Sequence, residues 1–204
     1  MLTIDLNKIK IKDGHTILDL GCGKGRHIHK LYYYKKCHVI GLDLSYGDLQ
    51  TTYEGFEKYP DTSNDPERQF NLMVGNALNL PFPDETFDRV ICSEVLEHIP
   101  DYENVIKEIF RVTKKDAQIG ISVPRWLPEK ICWYLSDDYH NEPGGHVHIF
   151  NFKDLRADFK NNGFSYLFKS YKHGLHSPYW WLKCFVGVKN DKNILVKVYQ
   201  KFLE

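Results

Sequence analysis

Three glycines at alternate positions, Gly21, Gly23 and Gly25, follow directly on the short apolar run at residues 15–20. Glycine lets a backbone turn sharply and lets a ligand reach main-chain amides without meeting a Cβ. A buried strand, a glycine turn and the N-terminal amides of a following helix make the ligand-cradling corner of an α/β fold. The rest of the chain must then supply more strands of the same kind, separated by helices.

It does so in order. Residues 15–20 read as a strand, and 25–34 as a helix with Ile28 and Leu31 on one face. Residues 38–43 are a second buried strand, ending on Asp43, and 46–58 a second helix. The polar, proline-punctuated stretch 59–69 reads as a loop. Strands follow at 70–75, 87–93 and 117–123, the last closed by Pro124. Between the last two, 101–114 places Val105, Ile109 and Val112 on one helical face, with Asp101 as N-cap. This alternation predicts a three-layer αβα, Rossmann-like sheet, mostly parallel, with right-handed crossovers.

Residues 124–150 break the rhythm. They are rich in Trp and Tyr, contain Glu-Pro-Gly-Gly-His, and read as a lid inserted after the fifth strand. A helix at 151–162 with Gly163 as C-cap and a sixth strand at 164–171 resume the pattern. Residues 179–188 fit helix or strand, and 194–202 read as helix. With 204 residues, the chain is expected to be one domain: core 14–123, lid 124–150 and C-terminal part 151–204.

Charge and cysteine usage exclude several classes. Lys and Arg total 27 and Asp and Glu total 27, so there is no basic surplus to bind nucleic acid. A DNA partner is not expected, and RNA ranks below a small molecule. The run Lys8, Lys10, Lys12 reads as a solvated edge. Five cysteines, an odd number with no CxxC pair, argue against a disulfide framework or a zinc site and fit a reducing cytoplasm. No apolar run approaches the roughly 18 residues of a membrane span, and residues 1–8 lack the apolar core of a signal peptide.

The details of the loop separate two cofactor types. A dinucleotide fingerprint wants glycine where Arg26 stands. This chain instead places Asp19 two residues before the first glycine, and Asp43 at the tip of the second strand, where a carboxylate can accept ribose hydroxyls. Together with Gly41-Leu-Asp43, Val74-Gly-Asn-Ala77, Leu80-Pro-Phe82, Phe87-Asp-Arg-Val90 and Glu94-Val-Leu-Glu-His-Ile-Pro100, the segment ILDLGCGKGR resembles the class I methyltransferases that use S-adenosylmethionine (SAM). Within them it is similar to the type 11 group of ubiquinone and menaquinone enzymes. The likeness is dense over 15–123.

The resemblance implies SAM as cofactor and assigns roles. Gly21, Cys22 and Gly23 approach the methionine part through their backbone, and Asp19 holds its amino group. Asp43 and Leu44 lie at the ribose, and Asn76 and Ala77 flank the adenine. Ser93 and Glu94 lie beside the methionine end. Asn76 stands where relatives often carry Asp, and an amide can still pair with adenine. The family closes its sheet with an antiparallel seventh strand, which here is either 181–188 or missing.

The acceptor side is less constrained. His146, His148, Tyr139 and His176 are the candidates for a proton-accepting or acceptor-binding role. His146 and His148, two apart, face opposite sides if extended, so no metal is expected. Glu97 and His98 read as packing the loop after the fourth strand, and Cys22 and Cys92 as core fillers. Trp126, Trp133, Tyr134, Tyr139 and Tyr179–Trp181 either line an apolar pocket or pack lid on core. The expected activity is methyl transfer to a small apolar or aromatic metabolite. A macromolecular acceptor, and a SAM-binding protein without catalysis, are the rival readings.

Overall fold

The computed structural model describes residues 2–57, 65–172, 174–190 and 192–203. Lys58 and residues 59–64 of the expected loop lie outside them. Five strands, β1 (Thr16–Leu20), β2 (His38–Asp43), β3 (Gln69–Val74), β4 (Phe87–Ser93) and β5 (Thr113–Ser122), form one sheet in the order β3-β2-β1-β4-β5. Every pairing in it is parallel. The helices are α1 (Arg26–Tyr34), α2 (Tyr46–Glu57), α3 (Tyr102–Val112), α4 (Trp126–Leu135), α5 (Asp137–His140), α6 (Phe152–Asn161), α7 (His176–Val186) and α8 (Ile194–Leu203).

Side-chain alternation along the strands feeds two cores. Ile17 and Leu18 are neighbours in β1, yet they belong to different clusters, one on each face of the sheet. On one face, Ile17, Val39 and Ile91 meet Ile28 and Leu31 of α1 and Leu49 and Phe56 of α2. On the other, Leu18, Val90 and Cys92 meet Val105, Ile109 and Val112 of α3, with Leu155 and Phe159 of α6 against them. Covering both faces is what a parallel sheet requires, and the result is the expected three-layer αβα architecture.

Residues 2–12 contribute more than a solvated edge. Lys8, Lys10 and Lys12 are exposed, as expected, but Ile9 and Ile11 between them are buried with Ile4 and Leu6. Arg89 of β4 anchors this strap by donating to the carbonyls of Ile9 and Lys10 at 2.5 and 2.9 Å.

Helix termini follow the side chains available. Asp101 caps α3, its carboxylate accepting from the Asn104 amide. Asn151 caps α6 through the amides of Lys153 and Asp154. At the other end of α6, Gly163 turns left-handed at φ +91°, its amide bonds to Lys160 O, and the Phe164 amide bonds to Phe159 O. Those two bonds make a Schellman motif.

Two expected strands are corrected. Residues 164–171 do not pair with the sheet: among the described residues β5 is its edge. The aromatic residues that suggested a strand find other partners. Phe164 packs on Phe110 and Phe159, and Tyr166 on Phe152 and Arg156. Residues 181–188, the candidate seventh strand, are largely α7, which packs on α4. Their buried residues, Lys183 and Cys184, fall on one helical side, and the Trp181 indole donates to Pro128 O at 3.1 Å. The lid is a helical pair, α4 and α5, and no described helix is long and apolar enough to cross a membrane.

Candidate cofactor and acceptor site

In this strand order the chain runs outward from β1 in both directions, through β2 and β3 on one side and β4 and β5 on the other. Parallel α/β sheets bind ligands at that switch point, beyond the carboxyl ends of the strands. The register places Leu20 beside both Leu42 and Cys92, and Asp43 beside Val74. The glycine loop, Asp43-Leu44, Gly75–Ala77 and Ser93-Glu94 therefore converge at one edge.

Asp43 is the best-fixed group there. One carboxylate oxygen accepts from the Gly23 amide at 2.8 Å, the other from the Ser45 amide at 2.9 Å. Gly21 and Cys22 donate to Leu42 O at 2.7 and 3.2 Å, so the loop is tied to β2 by its backbone. Gly21 has φ +68°, and a Cβ on it would lie 2.3 Å from Val95 Cγ2. Gly23 has φ +49° with nothing within 4 Å of its missing side chain, so its face is open to a ligand. Leu44 is 69% exposed beside Asp43, and Asn76 is exposed with its side-chain oxygen accepting from the Leu78 amide.

Asp19 sits under the loop, 1% exposed, with one carboxylate oxygen lacking any partner. Burial, with a smaller push from Asp43, raises its pKa to about 7, against the opposing bond from the Ile28 backbone. Cys22 and Cys92 are buried thiols, pushed up by burial, consistent with core filling.

Ser93 belongs to a hydroxyl chain that the sequence did not disclose. Its Oγ lies 2.5 Å from Thr3 Oγ and 2.8 Å from Ser122 Oγ, and Ser122 donates to Glu94 at 2.9 Å. Thr3 also contacts His27 Nε2 at 3.2 Å, and burial lowers His27 to about 4. Glu94 adopts φ +57°, rare for a residue with a side chain, and its amide donates to Ser122 O. The turn it makes sends the chain into a 3-10 turn at Leu96–His98 with Glu97 pointing inward.

Glu97 is completely buried, and neither carboxylate oxygen has a hydrogen-bond partner from another residue. Burial first, then Glu94 and Glu129, push it up to about 8. The His98 ring donates from Nδ1 to Gly144 O at 2.9 Å, and the Glu97 carbonyl accepts the Val147 and His148 amides. These bonds fasten the turn to the lid. His146 Nδ1 donates to Glu129 Oε1 at 2.5 Å, and the Tyr139 hydroxyl to Glu129 Oε2 at 3.2 Å.

The four acceptor-side candidates thus separate. His146 and Tyr139 converge on Glu129, a buried carboxylate in α4 that the sequence did not single out. Burial and that carboxylate push the Tyr139 phenol up, which keeps it protonated. His148 turns the other way, to Pro100 O and the rings of Tyr102 and Phe150. His176 opens α7 and lines the same long cleft as Glu94, Glu129, Tyr139 and His146. The lid aromatics split too: Trp133 stacks on His140 while Tyr134 is 90% exposed. One potential ligand atom from each of Glu97, His98 and His146 lies within 4.8 Å of the others.

Comparison with known proteins agrees with this arrangement. Residues 11–172 match the family described as "Methyltransferase domain". Sterol 24-C-methyltransferase erg6 of Aspergillus fumigatus is 30% identical over 143 residues, 70% of this chain and 34% of that protein. Demethylmenaquinone methyltransferase of Lactobacillus johnsonii is 34% identical over 116 residues, 56% of this chain and 46% of that protein. The chain thus spans about a third of the first relative's length and under half of the second's. A SAM-dependent methyltransferase structure from Methanosarcina mazei superposes with a TM-score of 0.65 at 20% identity, covering 79% of this chain and 85% of that one. A family match over most of the chain, on a sheet of this order, places the protein among the class I SAM-dependent methyltransferases.

Proposed function

We propose that the chain, as one unit spanning 1–204, transfers a methyl group from SAM to a small apolar or aromatic metabolite. One observation carries the cofactor half: a carboxylate fixed by two amides, Asp43, stands beside a buried carboxylate short of a partner, Asp19, at the switch point of the sheet. SAM brings a ribose diol and a cationic amino acid, and the two acids match those groups. Asp43 receives the ribose hydroxyls beside Leu44. Asp19 holds the ammonium, directly or through water, and regains the partner its buried oxygen lacks. Gly21, Cys22 and Gly23 offer backbone to the methionine part. Asn76 and Ala77 border the adenine on one side of Leu44's exposed face. Ser93 and Glu94 close the methionine end.

Bound SAM supplies an activated methyl group, so the protein needs no nucleophile of its own. What the chain must do is align the acceptor in line with the departing sulfur and keep water out. The lid, pinned to the Leu96–His98 turn through Gly144, Val147 and His148, would supply a wall for the acceptor. The acceptor's character is drawn from the relatives, named for a sterol and a demethylated menaquinone, both largely apolar molecules. Methyl-labelled SAM incubated with the protein and a pool of apolar metabolites should move label into the organic extract. Label found only in RNA, or nowhere while SAM binds, would overturn the acceptor reading.

A further inference from the structure

We propose that Glu97, His98 and His146 bind a divalent transition-metal ion at the seam between the β4 turn and the lid. Three observations converge on it. The potential ligand atoms of these residues already lie within 4.8 Å of one another, and a 2-His-1-carboxylate set is a metal-binding donor set. Glu97 is fully buried with both oxygens unpartnered, and a bound cation would supply the partner that they lack.

The third observation concerns the imidazoles. Each bonds an acceptor through Nδ1, Gly144 O for His98 and the Glu129 carboxylate for His146. An acceptor opposite Nδ1 fixes that nitrogen as N–H and leaves Nε2 with its lone pair. A histidine oriented by a carboxylate behind it is the usual support for a ligating imidazole. Glu129 therefore acts through His146 as a positioning residue, and Tyr139, donating to the other Glu129 oxygen, holds it in turn. His148, bonded to Pro100 O, takes no part. Three protein ligands leave coordination positions open, on the cleft that Glu94, His146 and Glu129 line. The ion would lock lid to sheet and present a Lewis acid there.

The test loads metal-stripped protein with Zn2+, Mn2+ or Co2+ and needs no SAM, so its failure leaves the methyltransferase reading standing. Wild type should retain about one equivalent after dialysis, show a Co2+ visible spectrum, and melt higher with metal than without. Glu97→Gln and His146→Gln should each abolish retention and the metal-induced rise in Tm. Without metal, Glu97→Gln should melt no lower than wild type, because it removes an unpartnered buried acid; a lower melt would assign Glu97 a purely structural role. Glu129→Gln should weaken binding by about 10–100-fold, and His148→Gln should leave it unchanged. No binding by wild type, or equal binding by wild type and the Glu97 and His146 variants, overturns the proposal.

Discussion

Asp19 combines a cost with a use. Its carboxyl is buried, and its pKa is raised from 3.8 to about 7. The folded state therefore holds a proton there that the unfolded chain has already lost, and stability from this group declines as pH rises from about 4 to about 7. Asp19→Asn should melt higher than wild type at pH 8 and lose that difference near pH 4, by differential scanning calorimetry. The same shift governs the ligand: an ammonium pairs with the ionised form, so SAM affinity should rise as pH goes from about 6 to about 7.5, with proton release from the protein. Titration calorimetry in two buffers of different ionisation heat reads both. A flat profile, or one unchanged in Asp19→Asn, would move the ammonium elsewhere. Gly21 is constrained by sterics instead: Gly21→Ala puts a Cβ into Val95 at φ +68° and should cost roughly 1–3 kcal/mol in denaturant melts.

Individual elements carry their own tests. Asn151→Ala removes the side chain that receives two amides at the start of α6, and should cost about 0.5–2 kcal/mol. The Asp101 cap of α3 and the Gly163 terminus of α6 were both readable from the chain, as were the five strands, because each rests on short-range pattern. The apolar runs at Ile17–Leu20 and Val90–Cys92 are buried on both faces and need no alternation to be recognised. Asp43 was readable because a strand end places it. What escaped was long-range. The aromatic stretch after Gly163 has strand composition, but β propensity is realised only where a neighbouring strand is available, and Phe152, Arg156 and Phe110 took those side chains instead. Lys8, Lys10 and Lys12 are the exposed edge that they read as, while the burial of Ile9 and Ile11 between them rests on partners distant in sequence, Ile17 and Ile91 among them. Glu97 and His98 read as packing the loop, and their bonds do fasten that turn to the lid; that His146 and Glu129 come near them was not legible, because these lie about fifty and thirty residues away in the chain.

At the scale of the molecule, an N-terminal strap, a parallel sheet and a helical lid meet at the carboxyl edge of the strands. Thr3 joins that strap to Ser93 and to His27. His27 is buried with its pKa lowered to about 4, so the unfolded state binds more protons below about 6.5 and stability should fall as pH drops from there toward 4. His27→Gln should lessen that loss in acid melts. In the function proposed above, the cofactor half of the site rests on two carboxylates, Asp19 and Asp43. The most direct test is calorimetric titration of SAM and of its demethylated product into folded wild type and Asp43→Ala. Both ligands should bind wild type, and Asp43→Ala should weaken them at least tenfold, since charge-assisted hydrogen bonds are worth about 1.5–3 kcal/mol each. Folded wild-type protein that binds neither ligand would contradict the account.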